Sequence, residues 1–115
     1  MNLEELRQYC MSFPGATEDV KWEDNLCFCV GEKIFTMAGL TKTGNLCFKV
    51  TPEEYAELIE TEHFISAPYL GRAKWVYMHE FNSIGENELK EWIAKSYAII
   101  KSKLPKRVLS QIEDS

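Results

Sequence analysis

The side chains able to do chemistry in this 115-residue chain are four cysteines, two histidines and a set of cations interleaved with aromatics. Cys27 and Cys29 form a Cys-x-Cys pair, and Cys47 follows on a later segment. A structural zinc site takes four ligands, usually paired as Cys-x₂₋₄-Cys on turns. If Cys27 and Cys29 share a strand, Cys47 sits roughly two strand spacings away, ~10 Å. His63 and His79 stand apart from them, so the reading is half-buried thiols and no metal. A Cys27–Cys29 disulfide is disfavoured too, because side chains two apart on a strand are roughly 7 Å apart. Cys10 falls on a helical apolar stripe and reads as inert. There is no Gly-x-Ser-x-Gly, phosphate-cradling glycine loop or dinucleotide fingerprint. The sequence therefore assigns no catalytic residue and no cofactor, and the expectation is a non-enzymatic protein.

The remaining chemistry is electrostatic. Around Trp75, Tyr77 and His79, which alternate with Val76 and Met78, stand Arg72 and Lys74. Apolar Val76 and Met78 belong in a core, which turns Trp75, Tyr77 and His79 outward with Lys49 and Thr36. An outward aromatic beside cations can stack on bases or hold an anion. Lys49, Arg72, Lys74, Trp75 and Tyr77 are thus the candidate nucleic-acid or ligand-binding residues. The competing account packs Trp75 under the loop at 61–73 and leaves the cations as surface charge.

The net charge is −5, unevenly spread. Residues 1–65 carry 5 basic and 12 acidic side chains; residues 66–115 carry 8 and 6. That balance argues against strong non-specific affinity for nucleic acid and places any basic surface in the second half. No run is long or apolar enough to span a bilayer, and the acidic start lacks a signal-peptide layout. The expected compartment is the cytoplasm, with reduced thiols.

The elements that must position these residues follow from pattern. Residues 3–13 predict a helix with Leu3, Leu6, Cys10 and Phe13 on one stripe, capped by Asn2 and Glu5 and stopped by Pro14-Gly15. Residues 16–25 read as a polar, acidic connection. Strands are expected at 26–30, 33–40 and 45–50, joined by Gly31-Glu32 and by residues 41–44. Turn-set register pairs Val30 with Lys33, Phe28 with Phe35, Leu26 with Met37, Met37 with Phe48, Phe35 with Val50 and Gly39 with Leu46. One face then holds Leu26, Phe28, Phe35, Met37, Leu46, Phe48 and Val50, the core. The other holds Cys27, Cys29, Ile34, Thr36, Ala38, Cys47 and Lys49. Thr51-Pro52-Glu53-Glu54 opens a second helix to about Glu60, with Tyr55, Leu58 and Ile59 inward. A loop at 61–73, a strand at 74–80, a helix from about 86 to 103 begun by a Ser83–Glu86 capping box, and an amphipathic segment at 106–113 complete the chain. The expected fold class is α+β: an antiparallel sheet with helices packed on one face, one domain over residues 1–115, and an open second face.

Several segments, in order, resemble the MmcQ/YjbR family of small bacterial proteins. They are Leu6-Arg7-Gln8-Tyr9-Cys10 with Phe13-Pro14-Gly15-Ala16, Lys33-Ile34-Phe35, Phe48-Lys49-Val50 before Thr51-Pro52-Glu53, Ala67-Pro68-Tyr69 before Lys74-Trp75-Val76, and Ser96-Tyr97. The resemblance implies the CyaY-like two-layer sandwich of frataxin and its bacterial relatives, and the family's usual label of DNA-binding protein. It carries over no catalytic residue, and many relatives have His where this chain has Lys74. Frataxin-like iron binding is a further thought for Glu4, Glu5, Glu18, Asp19, Glu23 and Asp24. Only Glu4 and Glu5 lie on the first helix, however, so a solvated acidic surface is the reading. The leading functional expectation is weak DNA binding through Lys49, Arg72, Lys74 and Trp75. The alternatives are a protein-interaction module that buries Ile34, Ala38 and Trp75, and a small-ligand or metal binder on the same face.

Overall fold

Local signals start the helices where the sequence places them. The structure, a computed structural model, describes residues 1–113. Helix α1 (Leu3–Met11) opens on a full capping box: Asn2 accepts from the Glu5 backbone N–H and Glu5 accepts from Asn2. Helix α2 (Pro52–Leu58) repeats the device with Thr51 and Glu54. It ends before Ile59, which is exposed rather than inward. Helix α3 (Glu86–Ser102) starts at Gly85 without a side-chain cap. Ser83 instead donates to the Glu80 carbonyl within a 3-10 turn, so the expected capping box is absent. Helix α4 (Lys106–Glu113) follows Pro105.

Six antiparallel strands form one sheet in the order β1-β2-β3-β4-β6-β5: β1 (Ala16–Lys21), β2 (Asn25–Val30), β3 (Lys33–Gly39), β4 (Leu46–Lys49), β5 (Ile65–Ser66) and β6 (Trp75–Met78). The architecture is α+β, with the helices contributing to a core on one sheet face. Strand β1 was not expected. Its residues are mostly polar, and it forms by pairing all along β2, as an edge strand does. The β2–β3 turn has positive φ at both Gly31 (55°) and Glu32 (68°), the geometry that matches hairpin twist. Helix α4 and the chain before it close over this turn. A Cβ on Gly31 would lie 2.7 Å from Leu104, and one on Gly15 would lie 2.9 Å from Ile112.

The register corrects the sequence reading. Val30 pairs with Lys33 as expected, but a bulge follows and Phe35 has no opposite residue. Phe28 faces Thr36, not Phe35, and Leu26 faces Ala38, not Met37. On the far side Met37 faces Cys47 rather than Phe48, and Ala38 rather than Gly39 faces Leu46. In a bulge two neighbouring residues share one partner and the alternation slips. Phe35 and Thr36 are therefore both fully buried, and Thr36 is not an outward residue. Ala38 joins the helix-side core, while Met37 moves to the second face beside Cys27, Cys29 and Cys47.

Ser96 of α3 bridges β3 to β4 beside this bulge. Its hydroxyl donates to the Phe35 carbonyl at 2.6 Å and accepts from the Lys49 backbone N–H at 2.9 Å. Next to it, Tyr97 donates to the Pro14 carbonyl, stacks on Phe13 and meets Phe35 edge-on.

Candidate functional site

The second sheet face carries cations without ion-pair partners among the described residues, but it is not open as expected. Cys27, Cys29, Met37, Ala67 and Trp75 form a small cluster of their own, flanked by Ile34, Cys47, Leu70 and Tyr77. Trp75 shares this face with Lys49, its cross-strand partner, and with Tyr77. It is only 7% exposed, however, so it is no free stacking platform. The 67–74 segment buries it: Ala67 N–H donates to the Trp75 carbonyl and Trp75 N–H to the Leu70 carbonyl.

That same segment offers an aromatic which pattern reading passed over. Tyr69 is fully exposed (104%) and sits at φ 65°, a backbone geometry uncommon outside glycine. Tyr69, Arg72 and Lys74 line an open hollow of about 610 Å³ with Tyr55 and Ser66. Tyr55 donates to Ser66 at 2.8 Å, and the Lys74 ammonium lies 4.8 Å from the centre of the Tyr55 ring. The signal available in the sequence was an aromatic next to Pro68 in a turn, two residues ahead of Gly71. Such an aromatic has little core to reach.

A second concavity, about 400 Å³, opens on the other side of Lys74-Trp75. Ile34, Trp75, Ile100 and Leu104 supply its apolar wall, and Lys21, Lys33 and Lys103 surround it with one acid, Glu32. Ile100 lies one helical turn beyond Ser96 and packs against this cluster. Lys49 lines neither concavity but pairs across the strands with Trp75. Its ammonium donates to the Ala73 carbonyl. Burial, then the charges of Lys103 and Lys74, hold its pKa below the ordinary lysine value. Lys33, Lys49, Arg72, Lys74 and Lys103 make no ion pair among the described residues. The fold thus brings Lys33 and Lys49 from the acidic first half to the cations of the second. Tyr77 contacts His79 edge-on and lines neither concavity.

The cysteines lie as three separated thiols on the second face and one in the main core. Cys27 and Cys47 are both opposite Met37, two strand spacings apart. Among the described residues no group of three or more His, Cys, Asp or Glu side chains is arranged to hold a metal. Burial pushes the Cys27 thiol up to about 11 and Cys47 up to about 12, and raises Cys10 and Cys29 as well. The thiolate is the reactive form. At pH 8 a chromogenic disulfide reagent should therefore titrate the folded protein slowly and all four thiols at once after denaturation. A rapid burst from one thiol in the folded protein would contradict this assignment.

A two-layer α+β fold, with a cation-lined second face and four free cysteines, defines a class of small sandwich proteins. The sequence profile of the YjbR family matches residues 11–99, and the chain belongs to that family. The fold is also that of the Deinococcus radiodurans protein DR2400, which carries the domain named DUF419. The likeness has a TM-score of 0.86 at 22% identity, over 97% of this chain and 88% of that one. A protein from Pseudomonas syringae is similar at TM-score 0.71 and 19% identity, over 87% of this chain and 99% of that one. Comparison with curated proteins gives no match. Among the described residues no helix is long and apolar enough to cross a membrane.

Proposed function

We propose that this chain is a non-enzymatic binding domain that holds nucleic acid weakly along the strip of Lys103, Lys49, Lys74 and Arg72, with Tyr69 as the stacking aromatic. The observation that carries this is the gathering of cations without carboxylate partners beside a fully exposed aromatic. Phosphate contacts supply sequence-independent affinity, and a base can stack on any exposed ring. The net charge of −5 repels a polyanion at long range, so binding is expected to be weak and strongly salt-dependent.

Fluorescence anisotropy with labelled single-stranded and duplex DNA, over a salt series, tests it. Binding at low salt should fall as salt rises. Arg72→Ala and Lys74→Ala should each flatten the salt dependence, by roughly one unit of logarithmic slope. Tyr69→Ala should weaken single-strand binding by about 1–3 kcal/mol with the slope kept. No binding at low salt, or binding indifferent to salt, would refute the reading.

The concavity beside Trp75 favours a second reading. Its apolar wall and lysine surround suit a small anion with an apolar body. Thermal-shift titration with medium-chain or aromatic carboxylates, against the matching alcohols, separates it from the first. Stabilisation by the acids alone supports it, and no stabilisation by any of them removes it.

A further inference from the structure

The two edges of the sheet are managed differently. Edge strand β5 has two residues and leads straight into the pinned 67–74 segment. Edge strand β1 has six, about 20 Å of backbone whose outer side pairs with nothing among the described residues. A long bare edge is a template for another strand. Two large exposed apolar side chains stand here, Val20 (52%) within β1 and Trp22 (69%) in the turn that follows it.

We infer that two copies of this chain pair antiparallel through β1, continuing the sheet across a two-fold axis at Val20. The charges choose both the occupant and the register. Residues directly opposite each other share a sheet face, so a two-fold pairing that continues the sheet centres on one residue. Centring on Glu18 or on Asp19 sets that carboxylate against its own copy, and like charges opposite are destabilising. Centring on Thr17 leaves Val20 and Trp22 uncovered. Centring on Val20 sets Val20 against Val20, and it sets Asp19 against Lys21 of the second copy twice over. Glu18, already neutralised by Arg7, whose Nε donates to it at 2.7 Å, then lies beside the second copy's β1–β2 turn, where Trp22 stands outside the strand at φ 52°. Within one chain Lys21 and Asp19 are a loose pair at 3.9 Å, both well exposed, and remain available for the crosswise partners. The charged residues that keep other strands off this edge are therefore complementary to a second copy of it in one register.

Size-exclusion chromatography with light scattering, in a dilution series without nucleic acid, reads the result directly. The wild-type mass should rise from one chain toward two with concentration. Asp19→Lys sets cation against cation at both crosswise positions and should stay at one chain. Lys21→Asp sets acid against acid and should do the same. The double variant Asp19→Lys/Lys21→Asp restores opposite charges and should again rise toward two. Both sites of change are on the surface, and circular dichroism should show unaltered folds for all three variants. A wild-type mass of one chain at the highest concentration overturns the inference. So does a single variant that still doubles, or a double variant that does not. Because mass is measured without nucleic acid, failure here is distinct from failure of the binding reading above.

Discussion

Phe35→Ala is expected to remove about 3–5 kcal/mol of stability, the usual cost of deleting a fully buried phenylalanine ring. Phe35 has no solvent exposure and stands at the bulge. Its ring meets Phe13 edge-on at 5.9 Å and Tyr97 edge-on at 5.3 Å, while Phe13 and Tyr97 stack at 4.6 Å. Tyr97 also donates to the Pro14 carbonyl at 2.6 Å. Removing the ring therefore opens a hole where the α1–β1 turn, β3 and α3 converge. Domains of this size are commonly stable by only about 5–15 kcal/mol, so the loss is a large fraction of the total. Urea unfolding followed by tryptophan fluorescence should show a lower midpoint at unchanged slope. Phe35→Leu should cost less, because it fills part of the volume. Tyr69→Ala, at a fully exposed site, should lie within about 0.5 kcal/mol of wild type. If Phe35→Ala and Tyr69→Ala cost the same, the aromatic cluster is not what joins these three elements.

This contrast shows what could be read from the sequence and what could not. Asn2, Thr51 and Gly31-Glu32 act through bonds and dihedrals within a few residues, so their signals are local and the structure keeps them. The bulge is not local. Nothing in Lys33-Ile34-Phe35-Thr36-Met37 marks it, and both sheet faces carry apolar clusters, so either phase of Met37 and Ala38 buries something. Only the choice made across three strands decides. Strand β1 escaped for a related reason. Glu18, Asp19 and Lys21 have little strand preference of their own, and their pairing is dictated by β2. The candidate site divides the same way. Arg72 and Lys74 were legible as cations in a loop. The burial of Trp75 and exposure of Tyr69 follow from how the 67–74 segment folds back on itself. Lys33, in the lining of the concavity beside Trp75, meets these cations only through tertiary packing.

Ser96→Ala is expected to cost about 3 kcal/mol although it removes a single oxygen. The Ser96 hydroxyl is the one group that serves both sides of the split between β3 and β4: it donates to the Phe35 carbonyl and accepts from the Lys49 N–H. Ser96 is fully buried, so water does not readily take its place. Leaving a buried donor or acceptor unpaired costs about 1–3 kcal/mol each. The carbonyl keeps a contact from the Thr36 hydroxyl at 2.8 Å, which moderates its share, whereas the Lys49 N–H keeps none among the described residues. A helix-interior serine replaced by the best helix former would otherwise gain stability. A measured loss therefore has the opposite sign to the propensity effect, and a neutral or stabilising result would show that the bridge contributes nothing. Amide hydrogen exchange locates the cause: the Lys49 amide should lose protection in the variant, while the Cys47 amide, further along β4, should lose much less. Lys49 also pairs with Trp75, which lines the second concavity, so loosening its backbone should weaken anion binding more than the loss of global stability alone would. Ser96 thus links the defect in the sheet to the cations on its far face. The bulge displaces Phe35 from its β2 partner, the serine ties Phe35 to Lys49 of β4, and the next turn of the same helix brings Ile100 and Lys103 to the site.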